Sequence, residues 1–152
     1  MTIEQIVAAL VIALRVQSVR ERPPVMPARV VNNIVIIVEA AVAADPRPEF
    51  VRLALAVCVA ESGLQLRQRD ASLCGCQPYN TDGTTQARCV ARSLAAGLTR
   101  CGTVERAINR YVTGRCSAPR RPTRGAVEWR SLLVRYRAIV RALSRAMSPG
   151  SD

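Results

Sequence analysis

The residue best placed to do chemistry is Glu61, because it ends a long apolar segment. Residues 48–63 read PEFVRLALAVCVAESG and are almost continuously apolar between positions 50 and 60. This pattern predicts a buried helix that ends at Gly63. We expect the negative end of the helix dipole and the apolar neighbours to raise the pKa of Glu61, which makes it a candidate proton donor near neutral pH. The alternative is that Glu61 simply ends an amphipathic helix and faces solvent.

The residue types that are missing exclude several classes of site. The 152-residue chain contains no histidine and no lysine. Ser-His-Asp catalysis, Cys-His catalysis and zinc sites built on cysteine and histidine are therefore excluded. The net charge of +11 is carried by arginine, and such a field attracts polyanions such as nucleic acid, anionic lipid or an acidic wall polymer. The length suits one domain with a modest core.

Six cysteines predict a disulfide framework and an oxidising destination outside the cytosol. The closest pair, Cys74-Gly-Cys76, is one residue too tight for a zinc knuckle. We expect Cys101 to pair with Cys116, because each lies at a helix edge beside a glycine. Cys89 is expected to pair with Cys76 or, alternatively, with Cys74. Cys58 then joins the remaining loop cysteine or stays a buried free thiol.

The spacing of apolar residues predicts a mainly helical chain with little or no β-structure. Predicted helices cover residues 30–44, 48–62, 84–98, 104–111 and 128–146, and residues 64–84 read as a loop. Thr84 or Thr85 is the expected N-terminal cap of the helix that follows this loop. The last helix has arginines on its other faces and an apolar stripe formed by Leu132, Leu133, Tyr136, Ile139, Val140 and Leu143.

Two stretches rich in proline and arginine, residues 20–29 and 117–125, interrupt the helical pattern. We therefore expect an N-terminal helix and linker over residues 1–28, a compact domain over 29–147 and a disordered tail over 148–152. Residues 6–14 form an apolar run that is too short to span a bilayer. The run also lacks the basic start and the cleavage site of a signal peptide. The sequence thus predicts no transmembrane segment and shows no clear signal peptide.

Three segments of the chain resemble the soluble lytic transglycosylase and goose-type lysozyme superfamily. Residues 30–63 resemble its opening, in which one helix, a proline turn and a second apolar helix end in Glu-Ser. Cys74-Gly75-Cys76-Gln77-Pro78-Tyr79 is similar to the Gly-x-x-Gln cleft segment of the family. Residues 110–116, RYVTGRC, are similar to its later Tyr-Asn-x-Gly segment, and a cysteine after that glycine is similar to phage-type, disulfide-bearing members. The segments follow one another in the family order.

The resemblance implies a lysozyme-like helical domain with a two-lobed cleft that cleaves the MurNAc–GlcNAc β-1,4 bond of peptidoglycan. Glu61 would be the catalytic acid and then the base, and no metal or organic cofactor would be needed. Gln77 and Tyr79 would bind the glycan, as would Ser62 unless it merely finishes the helix. Tyr111 would lie beside Glu61, orient it and stack on a sugar, or else be a core aromatic. The implied partners are peptidoglycan glycan strands and anionic wall polymers, with no specific nucleic acid.

Two questions stay open at the level of sequence. Hydrolysis usually needs a second carboxylate, for which Asp70 and Asp82 are the only acids in the loop after Glu61. A lytic transglycosylase manages with one glutamate, because the 6-hydroxyl of the substrate attacks. The alternative from another class is a basic structural or nucleic-acid-binding protein that keeps the fold without the activity, since Val112 stands where the family has asparagine. The site of action would be the periplasm, the cell wall or a phage virion.

Overall fold

The computed structural model describes residues 27–65, 72–76, 81–117, 130–131 and 133–141. Four helices in this part of the chain are α1 (Ala28–Ala44), α2 (Pro48–Ser62), α3 (Gly83–Cys101) and α4 (Val104–Thr113). A short 3₁₀ turn, Gly63–Gln65, follows α2 directly. Residues 130–131 and 133–141 are also helical, and we call them the C-terminal helical segment. The described residues contain no strand, so the prediction of a mainly helical protein is confirmed.

Helix α2 is the centre of the core, and its sequence explains why. Pro48 occupies the first turn, where a missing N–H costs no hydrogen bond, and Gly63 ends the helix with a φ of 57°. Between these ends the residues from 53 to 60 are all buried. A helix that is apolar on all sides must be surrounded by other elements. Helix α1 covers one side with a stripe at helical spacing, formed by Val30, Ile34, Ile37, Val38 and Ala41.

The structure corrects the boundaries that the sequence predicted for α1 and α3. Helix α1 begins at Ala28, two residues before the expected start, because the carbonyl of Pro27 accepts a hydrogen bond from the N–H of Val30. Helix α3 runs over Gly83–Cys101, and its N-terminal cap is Asp82 in place of Thr84 or Thr85. The carboxylate of Asp82 accepts from the N–H of Thr85 at 3.0 Å.

Helix α3 lies against both α1 and α4. Gly97, an unfavourable residue inside a helix, is buried where α3 meets α4. A Cβ at this position would lie 3.2 Å from the Cβ of Ala107, so the glycine allows the two helices to approach closely. Helix α4 continues two residues beyond the expected end and stops at Thr113, before Gly114 with a φ of 78°.

The C-terminal helical segment packs back onto the domain with the apolar stripe that the sequence predicted. Leu133 and Ile139 are buried, and Tyr136 packs against the core. The arginines of this segment at positions 130, 137 and 141 lie on its exposed side, whereas Arg135 contacts the end of α2. Leu132 and Leu143 belong to the same predicted stripe but lie outside the residues whose side chains the structure describes.

Three disulfides join the helices to one another and to the loop after α2. They link Cys58 to Cys74, Cys76 to Cys89 and Cys101 to Cys116. The Cys101–Cys116 pair is the one expected from the sequence, and Cys76 is one of the two partners expected for Cys89. Cys58 takes the remaining loop cysteine, so none of the six cysteines, all of which lie in the described ranges, is a free thiol. The cysteines thus fit a protein that folds in an oxidising compartment outside the cytoplasm.

The predicted N-terminal helix, the linker in residues 1–26 and the tail over 148–152 lie outside the described residues. In the part of the chain that is described, no helix is both long enough and apolar enough to span a membrane.

Candidate active site

Glu61 lies on the last turn of α2 and lines a cleft of about 680 Å³. One wall of the cleft comes from α3, through Arg92 and Ser93, and another from α4, through Arg110 and Tyr111. The side chain of Glu61 is exposed in this cleft. The apolar residues next to Glu61 in the sequence predicted that its carboxyl group would be shielded from water. The structure differs, because those residues face the core while Glu61 faces the opening of the cleft.

The carboxyl group of Glu61 rests against the backbone of Gly75. A Cβ on Gly75 would lie 2.7 Å from Oε2 of Glu61 and 2.9 Å from its Cδ, which is closer than side chains tolerate. Gly75 also has a φ of +74°, in the left-handed region that favours glycine. The backbone conformation favours glycine at this position, and a side chain here would displace the carboxyl group of the candidate acid.

Gly75 belongs to residues 72–76, which we call the strap. Two disulfides fix the strap on either side of Gly75: Cys74 is joined to Cys58 on α2, and Cys76 is joined to Cys89 on α3. Both Cys76 and Cys89 line the cleft. The strap therefore connects the helix that carries Glu61 to the helix that forms the cleft wall.

Tyr111 is the third anchor of the strap. Its hydroxyl donates a hydrogen bond of 2.5 Å to the carbonyl oxygen of Cys74 and lies 3.6 Å from Sγ of Cys76. The structure thus brings Tyr111 and Glu61 to the same cleft, as the resemblance implied. The hydroxyl of Tyr111 holds the strap backbone at Cys74, next to Gly75, which the carboxyl group of Glu61 approaches.

Gln86, on α3, also holds the strap, and this role was not predicted from the sequence. The side chain is 1% exposed. Its Oε1 accepts hydrogen bonds from Oγ of Ser72 at 2.6 Å and from the N–H of Cys76 at 3.0 Å. Its Nε2 donates to the carbonyl of Cys76 at 2.7 Å and to Oγ1 of Thr81 at 2.8 Å. The one feature of the sequence that could have indicated this role is a glutamine four residues before Val90, on the apolar face of α3.

The structure places Ser62 in the second of the two roles that the sequence allowed, at the end of α2. This residue is 9% exposed, and its hydroxyl donates to the carbonyl of Leu73 at 2.5 Å. A buried hydroxyl with a backbone partner is not available to bind a glycan. Ser62 instead ties the end of α2 to the strap.

The turn after Glu61 has an unusual backbone. Gly63 and Leu64 both have positive φ values, of 57° and 60°. A leucine in the left-handed region is strained and persists only when its surroundings hold it. The side chain of Leu64 is fully buried, and its carbonyl accepts a hydrogen bond from Nδ2 of Asn33 at 3.0 Å.

A cation that the sequence analysis did not anticipate lies near the end of α2. The guanidinium of Arg135, on the C-terminal helical segment, donates to the carbonyl of Ala60 at 2.8 Å. The last carbonyls of a helix lack partners within the helix, and a positive charge there opposes the helix dipole. Arg135 therefore stabilises the turn that carries Glu61.

Of the two acids expected in the loop after Glu61, Asp82 is described and does not line the cleft. Gln77, Tyr79 and Asp70 lie outside the described residues. Asp82 caps α3, and hydrogen bonds from the side chain and then the backbone N–H of Thr85 hold the pKa of its carboxyl below the usual value. Among the described residues that line the cleft, Glu61 is the only acid. No cluster of cysteine and acidic side chains in the described ranges is arranged to bind a metal ion.

Comparisons with protein-family models, with characterised proteins and with solved structures find no match to this chain.

Proposed function

We propose that this protein is a lysozyme-like enzyme that cleaves the MurNAc–GlcNAc β-1,4 bond of peptidoglycan, with Glu61 as its acid and base. One observation carries this proposal. Glu61 stands at the end of a buried helix, in a cleft, and its carboxyl rests on a glycine that two disulfides hold in place. Such fixed placement of a single carboxyl group is what proton transfer to a glycosidic oxygen requires.

The number of acids supports the transglycosylase route. Protonated Glu61 donates its proton to the glycosidic oxygen as the bond to C1 of MurNAc breaks. The resulting carboxylate then accepts the proton of the 6-hydroxyl of the same sugar, whose oxygen attacks C1 and closes a 1,6-anhydro ring. Two-carboxylate hydrolysis would place a second acid on the opposite side of the bond. Glu61 is the single acid among the described lining residues of the cleft.

Substrate binding would complete the environment of Glu61. The carboxyl is exposed in the free protein. A glycan strand lying in the cleft would replace the surrounding water with sugar surface and so favour the neutral, proton-donating form. The strap and Tyr111 keep the carboxyl in position while this happens.

The charge and the cysteines support a place of action outside the cytoplasm. Peptidoglycan and its attached polymers are polyanions, and a protein with a net charge of +11 is drawn to them. Disulfides persist in the periplasm, at the cell wall and on virion surfaces. Each of these locations brings the enzyme to its substrate.

Mass spectrometry of the products tests the reaction type. Purified peptidoglycan is digested with the protein, and we expect fragments that end in 1,6-anhydro-MurNAc. Reducing MurNAc ends would instead show a hydrolase and would require a second acid or an activated water. Intact peptidoglycan would reject the enzymatic proposal altogether.

A basic nucleic-acid-binding or structural protein is the second candidate, favoured by the exposed arginines at positions 130 and 141 of the C-terminal helical segment. DNA binding that weakens with salt, without cleavage of peptidoglycan, would establish this candidate in place of the enzyme.

A further inference from the structure

The cleft contains two arginines that the proposed proton transfer does not use. Arg92 projects from α3 and Arg110 from α4, and both line the same cleft as Glu61. They belong to separate helices, so the cleft has a cation on each of two walls. The sequence analysis did not single out either residue.

Neither guanidinium is neutralised within the described part of the chain. The ion pairs found there are between Arg47 and Asp45, Arg52 and Glu49, and Arg137 and Glu105. Arg92 also borders a neighbouring groove between α1 and α3 that contains Glu39, but the two residues form no ion pair. The two guanidiniums thus keep their hydrogen-bond donors available to a ligand in the cleft.

Arginine is suited to one class of ligand in particular. Its planar fork of N–H groups matches the two oxygens of a carboxylate, and a charged pair of this kind is stronger than a neutral hydrogen bond. A neutral sugar polymer offers no such group. Peptidoglycan does, on the lactyl group of MurNAc where no peptide is attached, and on the stem peptides where they are present.

We propose that Arg92 and Arg110 form a carboxylate-binding subsite that makes the cleft prefer glycans with acidic substituents over neutral ones. This inference rests on the proposed function for the identity of the glycan, but the binding preference can be measured without catalysis. The two arginines are specificity residues, and Glu61 remains the catalytic residue.

Calorimetric titration of the Glu61→Gln protein tests the subsite, because this variant binds without cleaving. The probes are chitotetraose, which is neutral, a GlcNAc–MurNAc tetrasaccharide without peptides, and the same tetrasaccharide with stem peptides. We expect the acidic probes to bind about tenfold more tightly than chitotetraose, as hydrogen bonds to charged groups imply. The stronger of the two acidic probes identifies which carboxylate is recognised.

Arginine variants in the same background then locate the preference. Arg92→Gln combined with Arg110→Gln should remove the tenfold preference and leave the affinity for chitotetraose within about twofold. Arg106→Gln is the matched control, because Arg106 is an exposed arginine on α4 that does not line the cleft. Circular dichroism melting of each variant verifies that it is folded.

The outcomes separate this inference from the proposed function. Equal binding of neutral and acidic probes, or an equal loss in the Arg106→Gln protein, would overturn the subsite. If the wild-type protein cleaves peptidoglycan while the probes bind equally, only the subsite is wrong. If acidic probes are preferred but peptidoglycan stays intact, the proposed enzyme is wrong and the carboxylate-binding cleft remains.

Discussion

Glu61 and Gly75 are the two residues on which the catalytic proposal depends most directly. The sequence singled out Glu61 from its place at the end of an apolar segment. The contact between its carboxyl group and the backbone of Gly75 is a tertiary feature, and spacing along the chain does not encode it.

Replacing Gly75 with alanine tests whether that contact positions the acid. The new Cβ would lie 2.7 Å from Oε2 of Glu61, and the end of this flexible side chain is what must move. We expect the Gly75→Ala protein to fold but to lose most of its peptidoglycan cleavage, on the order of a hundredfold, because small misplacements of a catalytic group have effects of this size.

Gly102→Ala is the control for this variant. Gly102 has a φ of +80°, and nothing lies within 4 Å of the position of its Cβ. Both substitutions therefore carry the same left-handed backbone penalty, about 1–2 kcal/mol, but only one meets Glu61. Similar cleavage rates in the two folded variants would show that Gly75 has no positioning role.

Gln86 and Ser62 show what sequence reasoning missed at the scale of single residues. A glutamine on an apolar helix face and a serine at a helix end both look unremarkable along the chain. Their roles come from backbone groups of the strap, at residues 72–76, which only the folded chain brings to them. Ser62 thus takes the other role that the sequence allowed, at the end of the helix.

At the scale of elements, the helices were predictable and the attachment of the strap was not. Apolar spacing, Pro48 and Gly63 were enough to place α1 and α2 within two residues. The N-terminal cap predicted for α3 was wrong. Threonine and aspartate are both good caps, and the local backbone geometry decides which side chain accepts the hydrogen bond. Six cysteines allow fifteen sets of three pairs. The neighbouring glycines predicted the Cys101–Cys116 pair but left the partners of Cys58 and Cys89 open.

The Cys76–Cys89 disulfide of the strap and the Cys101–Cys116 disulfide should differ in their effect on activity. They join residues 13 and 15 positions apart, so each contributes about 3 kcal/mol to the free energy of unfolding on loop-closure grounds. We expect the double variant Cys76→Ser and Cys89→Ser to lose this stability and also most of its peptidoglycan cleavage, because the strap holds Gly75 beside Glu61.

The double variant Cys101→Ser and Cys116→Ser should lose a similar amount of stability but keep most of its peptidoglycan cleavage. Helix α4 remains held by its close packing against Gly97 of α3. Denaturant unfolding and cleavage rates, measured where both variants are folded, make the comparison. Equal losses of activity would mean that the strap disulfide acts through stability alone.

The cap of α3 predicts a dependence of stability on pH. The pKa of Asp82 is lower in the folded protein than its usual value, because Thr85 donates hydrogen bonds to the carboxylate. The cap therefore stabilises the fold above the pKa of the unfolded chain, and this contribution is lost as pH falls through the lower folded value. An asparagine at this position would also cap the helix, but its side chain does not titrate.

Thermal unfolding of the wild-type protein and the Asp82→Asn protein between about pH 6 and pH 2 checks this prediction. We expect the wild-type protein to lose more stability on acidification than the variant. Asp45, which is also paired in the folded state, titrates in both proteins and cancels in the comparison. A difference between the two that stays constant across this range would contradict the prediction.

At the scale of the whole molecule, the buried helix α2 carries Glu61 to a cleft whose described walls contain two arginines and no further acid. Length, composition and net charge predicted one basic, mainly helical domain with disulfides. They could not predict the cleft, because its walls come from α3 and α4, which lie about 30 to 50 residues beyond Glu61 in the chain. The positive walls match the attraction of the whole molecule to polyanions.

Clearing of purified peptidoglycan by the wild-type, Glu61→Gln and Glu49→Gln proteins is the most direct test of this account. Glu49 is an exposed glutamate at the opposite end of α2, about 18 Å away at the rise of an α-helix. We predict that the wild-type and Glu49→Gln proteins clear the peptidoglycan and that Glu61→Gln, although folded, does not. Equal clearing by all three proteins, or none by any of them, would contradict the assignment of Glu61.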